Sequence, residues 1–138
     1  MNYLRILLAG VAALAVFFAW GFLTEGWLIR KDFAASGALY RTSDLQMKYM
    51  PLGMLSILVG LLAAVVLYAR WCGSTSGATK GLEFGFLMGV FVACIHSISN
   101  LVTMNMDLRL GLEIAVCNVV GWVLAGLVIG VVYKPLMT

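Results

Sequence analysis

The sequence predicts an all-α, membrane-embedded bundle of four transmembrane helices with an interfacial segment in its first loop. Four uncharged apolar runs are the first observation, because a run of about 18 or more apolar residues is long enough to cross a bilayer as a helix. Composition is the second. Hydrophobic residues make up 63% of the 138-residue chain and charged residues 11%, with a mean hydropathy of +1.03. Ordinary soluble domains have about 25% charged residues, so a water-soluble protein is excluded.

The four runs leave too little chain for a second domain. We therefore expect residues 1–138 to form one multi-pass domain whose main partner is the lipid bilayer, with no nucleic acid. The first run follows Arg5, as in a secretory signal peptide, but it is longer than the apolar core of such a peptide. We therefore expect it to remain in the protein as a transmembrane helix. The runs are Ile6–Thr24, Pro51–Ala69, Phe84–Met106 and Ile114–Tyr133, with 19, 19, 23 and 20 residues.

The first loop, Glu25–Met50, alternates aromatic and charged residues, a pattern typical of a segment at the level of the lipid headgroups. We expect the first helix to extend past Glu25 and to break near Ser36 and Gly37. An interfacial helix capped by Thr42 or Ser43 is then predicted to lead into the second span.

The number of spans is even, which predicts that both ends of the chain lie on one side of the membrane together with the loop Arg70–Glu83. Lys and Arg are divided four against five between the two sides, so the positive-inside rule does not decide the orientation. We expect the side with the ends to be cytoplasmic, because Arg5, Arg70 and Lys134 flank spans directly. The opposite side is predicted to carry a turn over Asp107–Glu113.

Small and polar residues form one stripe along the third run at about 100° per residue. Lipid provides no hydrophobic force between helices, so close backbone approach and interhelical hydrogen bonds must hold the bundle, and the third helix is predicted to be central. Its Gly85 and Gly89 are predicted to pack inside the protomer, whereas Gly126 and Gly130 are predicted to contact a neighbouring copy. The stripe consists of Gly85, Gly89, Ala93, His96, Asn100, Thr103 and Asp107.

Polar residues at the centre of the membrane admit two interpretations. His96 lies near the middle of its run, Asn100 follows one turn later, and Asn118 lies at a matching depth on the fourth helix, so a direct bond between the two amides is predicted. In one interpretation His96, Ser97, Asn100 and Asn118 form a structural clasp. In the other they form a ligand or proton site, with Glu25 and Glu113 continuing the polar path to the surface.

For Glu25 and Glu113, ion pairs with Arg30 or Arg109 are the alternative to a functional role. The cysteines are Cys72, Cys94 and Cys117, odd in number and far apart, so no redox pair or zinc site is expected. No catalytic, metal or cofactor motif is found.

These patterns leave two main hypotheses for function, with an enzyme or metal carrier as a third. The first is a non-enzymatic structural or accessory component that packs with itself or with a larger membrane complex. The second is a small transporter or channel for an ion or metabolite, with a polar site around His96 and Asn100. The sequence favours the first, because the second run contains only Ser56 and Tyr68 as polar residues and gives no continuous polar path.

Four segments, "EGWLIRKDF", "LYRTSDLQMKYMPLG", "GLEFGFLMGVF" and "GLVIGVVYKP", together resemble a group of small four-helix bacterial inner-membrane proteins that have no assigned activity. The resemblance covers most of the chain. It implies the fold and a location in the bacterial inner membrane, and it provides no catalytic residue.

Overall fold

A computed structural model of the protein describes residues 2–35, 43–104 and 106–133. Within these ranges the chain is almost entirely helical and contains no strand. Two of the helices continue into wider π turns. The elements are α1 (Tyr3–Leu23), the π turn Thr24–Leu28, α2 (Arg30–Ala35), α3 (Ser43–Trp71), α4 (Ala78–Val92), the π turn Ala93–Ile98, α5 (Ser99–Thr103) and α6 (Leu108–Val132).

Four segments are long and apolar enough to cross a membrane, which confirms the predicted all-α bundle of four helices. Each is longer than the apolar run that predicted it, because a helix satisfies its own backbone hydrogen bonds and continues among the headgroups. The turn predicted over Asp107–Glu113 is therefore wrong, since α6 already begins at Leu108. The four segments are Tyr3–Leu28, Asp44–Trp71, Ala78–Thr103 and Leu108–Val132.

The first helix continues past Glu25 through the π turn Thr24–Leu28, as predicted. It ends at Ile29, where the backbone leaves helical geometry, and the short helix α2 follows. The break predicted at Ser36 and Gly37 lies outside the described residues, as does Thr42.

α6 packs along both α4 and α1, and α3 packs along α1. The end of α3 also meets α4, through the rings of Tyr68 and Phe84. The third transmembrane segment packs mainly on α6, and the prediction that it is central is wrong. The fourth segment, α6, takes that position. Its small residues Gly121, Ala125 and Gly126 are buried, which lets neighbouring helices approach it on more than one side.

Glycines bring the backbones of α4 and α6 into direct contact. A Cβ atom added at Gly126 would lie 2.6 Å from Gly85 Cα, and one added at Gly130 would lie 2.8 Å from Gly81 Cα. The prediction that Gly126 and Gly130 contact a neighbouring copy is therefore wrong. Their partners are the glycines of α4 in the same protomer.

The apolar core lies in the half of the bundle that contains the first turns of α1. Its centre is Tyr68, which is fully buried with its ring centroid 5.4 Å from that of Phe84 and 6.1 Å from that of Tyr133. The Tyr68 hydroxyl donates to Gly77 O at 3.4 Å and accepts from Gly77 N at 3.3 Å. We call this half of the bundle the closed half.

The opposite half is open because α3 separates from α1. Leu61, Ala64 and Val65 are buried against the core, whereas every residue of α3 from Asp44 to Ser56 is exposed. At 29 residues, α3 is about 43 Å long, which exceeds the hydrocarbon thickness of about 30 Å. Its first turns therefore reach the headgroup region on the open side.

We predict that Gly126→Ala lowers the free energy of unfolding by about 1–3 kcal/mol, the usual cost of overpacking. The new methyl group would meet backbone atoms of Gly81 and Gly85, which have no rotamer to change. The matched control is Gly21→Ala, because a Cβ at Gly21 meets nothing within 4 Å. Reversible unfolding in mixed micelles measures both, and equal stability of the two variants would contradict the backbone contact.

Candidate functional site

A π turn over Ala93–Ile98 changes which side of the third segment faces α6. A turn closed by i→i+5 hydrogen bonds contains more residues than an α turn, so each residue rotates by less than 100°. Ser97, and not His96, therefore follows the buried Ala93 toward α6. Asn118 Nδ2 donates a hydrogen bond to Ser97 Oγ at 2.8 Å. This is the polar link between the third and fourth segments.

His96 and Asn100 are not part of that link. His96 is exposed and Asn100 is partly exposed, so the predicted inward position of His96 and the predicted bond between Asn100 and Asn118 are both wrong. The sequence pattern placed them inward because it assumed α geometry throughout the run. Ser97, which the clasp interpretation included, is the residue of the third segment that the structure brings to Asn118.

The second π turn, Thr24–Leu28, lies across α6 from the first and holds polar groups at the depth of Asn118. Thr24 is buried, and its hydroxyl donates to Trp20 O and Gly21 O, each at 3.0 Å. Trp20 Nε1 donates to Cys117 O at 2.8 Å. The indole therefore fixes the end of α1 against α6, whereas the Thr24 hydroxyl bonds carbonyl groups of its own helix.

A small cavity of about 80 Å³ lies between this end of α1 and α6, and Thr24, Glu25, Cys117 and Asn118 line it together with apolar residues. The structure thus brings Glu25 and Asn118 of the predicted polar set to one cavity. A polar cavity of this size holds a few water molecules. Sequence reasoning missed Trp20 and Thr24, although both interrupt an otherwise apolar run near its end.

Glu25 also lines a larger groove of about 580 Å³ on the side of α1 that faces the diverging half of α3. Its carboxylate makes no hydrogen bond or ion pair with any residue in the described part of the chain, and the predicted pair with Arg30 is not formed. Glu25 therefore separates an inner polar cavity from an outer apolar groove.

Glu113 differs, because Arg109 Nε donates to its Oε1 at 2.8 Å across one turn of α6. The second carboxylate oxygen, Oε2, is buried without a hydrogen-bond partner among the described residues. An open apolar groove of about 820 Å³ runs beside this pair, between Ile29 and Val116. Glu113 is thus held by an ion pair, the alternative that the sequence left open for it.

The described ranges contain no group of three or more His, Cys, Asp or Glu residues arranged to hold a metal ion. The buried polar side chains in those ranges are Thr24 and Ser97. Both flank α6, and neither is joined to the closed half by further buried polar groups.

Comparison of the chain with protein-family models, curated proteins and solved structures gives no match. The fold and composition therefore define the class of the protein. It is a polytopic membrane protein built from four apolar helices.

We predict an interaction energy between Ser97 and Asn118 of about 0.6 kcal/mol, the average for such bonds between membrane helices. A double-mutant cycle with Ser97→Ala and Asn118→Ala, measured by unfolding in mixed micelles, determines it. The control cycle pairs His96→Ala with Asn118→Ala, and because His96 is exposed we expect its coupling to be near zero. Equal coupling in the two cycles would contradict the shifted register.

Proposed function

We propose that this chain is a non-enzymatic structural or accessory component of a bacterial inner membrane, which assembles through α3 with a second copy of itself. The observation that carries the proposal is the first half of α3, where every residue from Asp44 to Ser56 is exposed. Lipid covers apolar side chains well, but it does not explain why glycines occur at regular positions on this half.

Gly53, Ser56 and Gly60 lie on one flank of α3, because spacings of three and four residues share a side of a helix. A Cβ atom at Gly53 or Gly60 would meet nothing within 4 Å. The glycines of α4 and α6, in contrast, are closely packed, since a Cβ at Gly85 or Gly126 would overlap backbone atoms of the other helix. Glycine in a helix costs about 1 kcal/mol relative to alanine, and close approach of a partner backbone offsets that cost.

This flank of α3 is suited to contact with a second copy of the chain. In a two-fold dimer each subunit presents the same surface, so the glycines of both α3 helices face each other and both backbones approach. A partner with large side chains at that position would gain less from Gly53 and Gly60.

The distribution of buried polar groups supports a component over a conducting protein. The buried polar residues in the described ranges, Thr24 and Ser97, both lie outside the core of the closed half. That core is made of apolar and aromatic side chains around Tyr68 and Ile129. A path for ions or metabolites needs polar groups or water on both sides of the membrane, so the channel hypothesis around His96 and Asn100 has less support.

The proposal is tested by oxidative cross-linking in native membranes, starting from the variant Cys72→Ala, Cys94→Ala, Cys117→Ala. A cysteine is placed either at Gly53 or at Leu55, which is also exposed but lies about 200° around the helix. We expect a disulfide-linked dimer for Gly53→Cys and none for Leu55→Cys. Adding Gly60→Leu to the Gly53→Cys variant should reduce the dimer severalfold, because the leucine side chain separates the backbones.

Equal cross-linking at both positions, or no dimer at Gly53, would contradict self-association through this flank. A cross-link from Gly53→Cys that forms only with a different protein would contradict the choice of a second copy. Since Gly60 has open space around it, Gly60→Leu should leave unfolding of the protomer unchanged, which separates lost association from lost folding.

A further inference from the structure

We infer that the groove between α1 and the diverging half of α3 binds a lipophilic organic cation, with Glu25 as its counter-ion. This inference does not depend on the proposed self-association, because it rests on Glu25 and the phenylalanines of α1. Its volume is about 580 Å³, within the range of about 300–1,000 Å³ typical of sites for drug-sized molecules.

The lining of the groove has the chemistry that recognises such a ligand. Phe17, Phe18 and Phe22 of α1 line it together with Glu25, and Met50 lines it from α3. Aromatic rings attract cations through their negative faces, and thioethers adapt to irregular apolar shapes. Glu25 is the charged residue among the lining residues.

Glu25 is available to a ligand, because it makes no hydrogen bond or ion pair with another described residue. Two other glutamates differ in this respect, because Glu83 pairs with Lys80 at 3.0 Å and Glu113 with Arg109 at 2.8 Å. Glu25 is exposed near the end of its transmembrane segment, so a cation in the groove can reach its carboxylate. A bound cation would supply the missing partner.

The depth of Glu25 suits a cation whose charge lies near the headgroup level and whose apolar groups reach deeper. Counting from Tyr3 at 1.5 Å per residue, Glu25 lies about 33 Å along the helix, at the far edge of a hydrocarbon core of about 30 Å. Phe17 and Phe18 lie about two turns deeper. The charge of the ligand would therefore stay at the headgroup level while its apolar body lies along the phenylalanines.

A free organic cation fits this groove better than a phospholipid amine. A phospholipid brings a phosphate, which requires a cationic or hydrogen-bonding donor near the amine. No Arg or Lys is among the lining residues. The nearest basic residues along the chain, Arg30 and Lys31, begin α2 beyond the bend at Ile29.

The test measures equilibrium binding of radiolabelled tetraphenylphosphonium to the protein in phosphatidylcholine nanodiscs. We expect saturable binding that Glu25→Gln weakens about tenfold or more, because the amide keeps the shape and removes the charge. Phe22, which is 83% exposed, provides a second variant that cannot disturb the core. Phe22→Leu should weaken binding roughly two- to fivefold, the value of one exposed cation–π contact.

Two controls accompany these variants. Glu113→Gln removes a carboxylate near the same end of the bundle but outside this groove, and it should leave binding unchanged. Tetraphenylborate has the same shape with the opposite charge and should not bind saturably. Unfolding measurements on Glu25→Gln establish that the fold is retained.

Unchanged affinity in Glu25→Gln, or equal binding of the cation and the borate, would overturn the inference. Loss of tetraphenylphosphonium binding when phosphatidylethanolamine is added to the nanodiscs would assign the groove to a lipid amine and would also overturn it. The dimer cross-link at Gly53 tests the proposed function separately, so failure of one experiment leaves the other result intact.

Discussion

The contact between the backbones of α4 and α6 is the interaction on which the rest of the structure depends. In a bilayer the hydrophobic effect does not drive helices together, so association requires dense packing or hydrogen bonds. Glycines at Gly81, Gly85 and Gly126 remove the side chains that would separate the two helices. The resulting pair presents one continuous surface, and α1 packs on the other side of α6.

The difference between the closed and open halves follows from the sizes of residues along α1. Its first turns present Ala9, Gly10 and Ala13, all buried, and Leu62 of α3 lies directly over Gly10. Further along, larger residues follow, and Phe17 and Phe18 line the groove between α1 and α3. The same helix therefore binds α3 closely at one end and leaves a groove at the other.

Length and hydropathy were sufficient to predict the fold class, since each apolar run corresponds to one helix. They could not locate the helix ends, because polar residues such as Gln46 and Lys48 continue α3 among the headgroups. Helical spacing predicted close packing at Gly126, but a glycine pattern does not say which helix will occupy it. The prediction of a bond between Asn100 and Asn118 failed for a different reason. The π turn that brings Ser97, and not Asn100, to Asn118 has no simple sequence signal.

The open half combines features that a purely structural bundle would not require. Packing alone explains the bond between Ser97 and Asn118, and it explains why Trp20 ties α1 to Cys117. It does not account for Glu25, whose residue lines both the inner cavity and the outer groove and has no partner in the described chain. Gly53 lies three residues from Met50 and four from Ile57, and both of these residues line the groove. Because such spacings share a side of a helix, a dimer contact through the flank of α3 would border the groove, and association and ligand binding would influence each other.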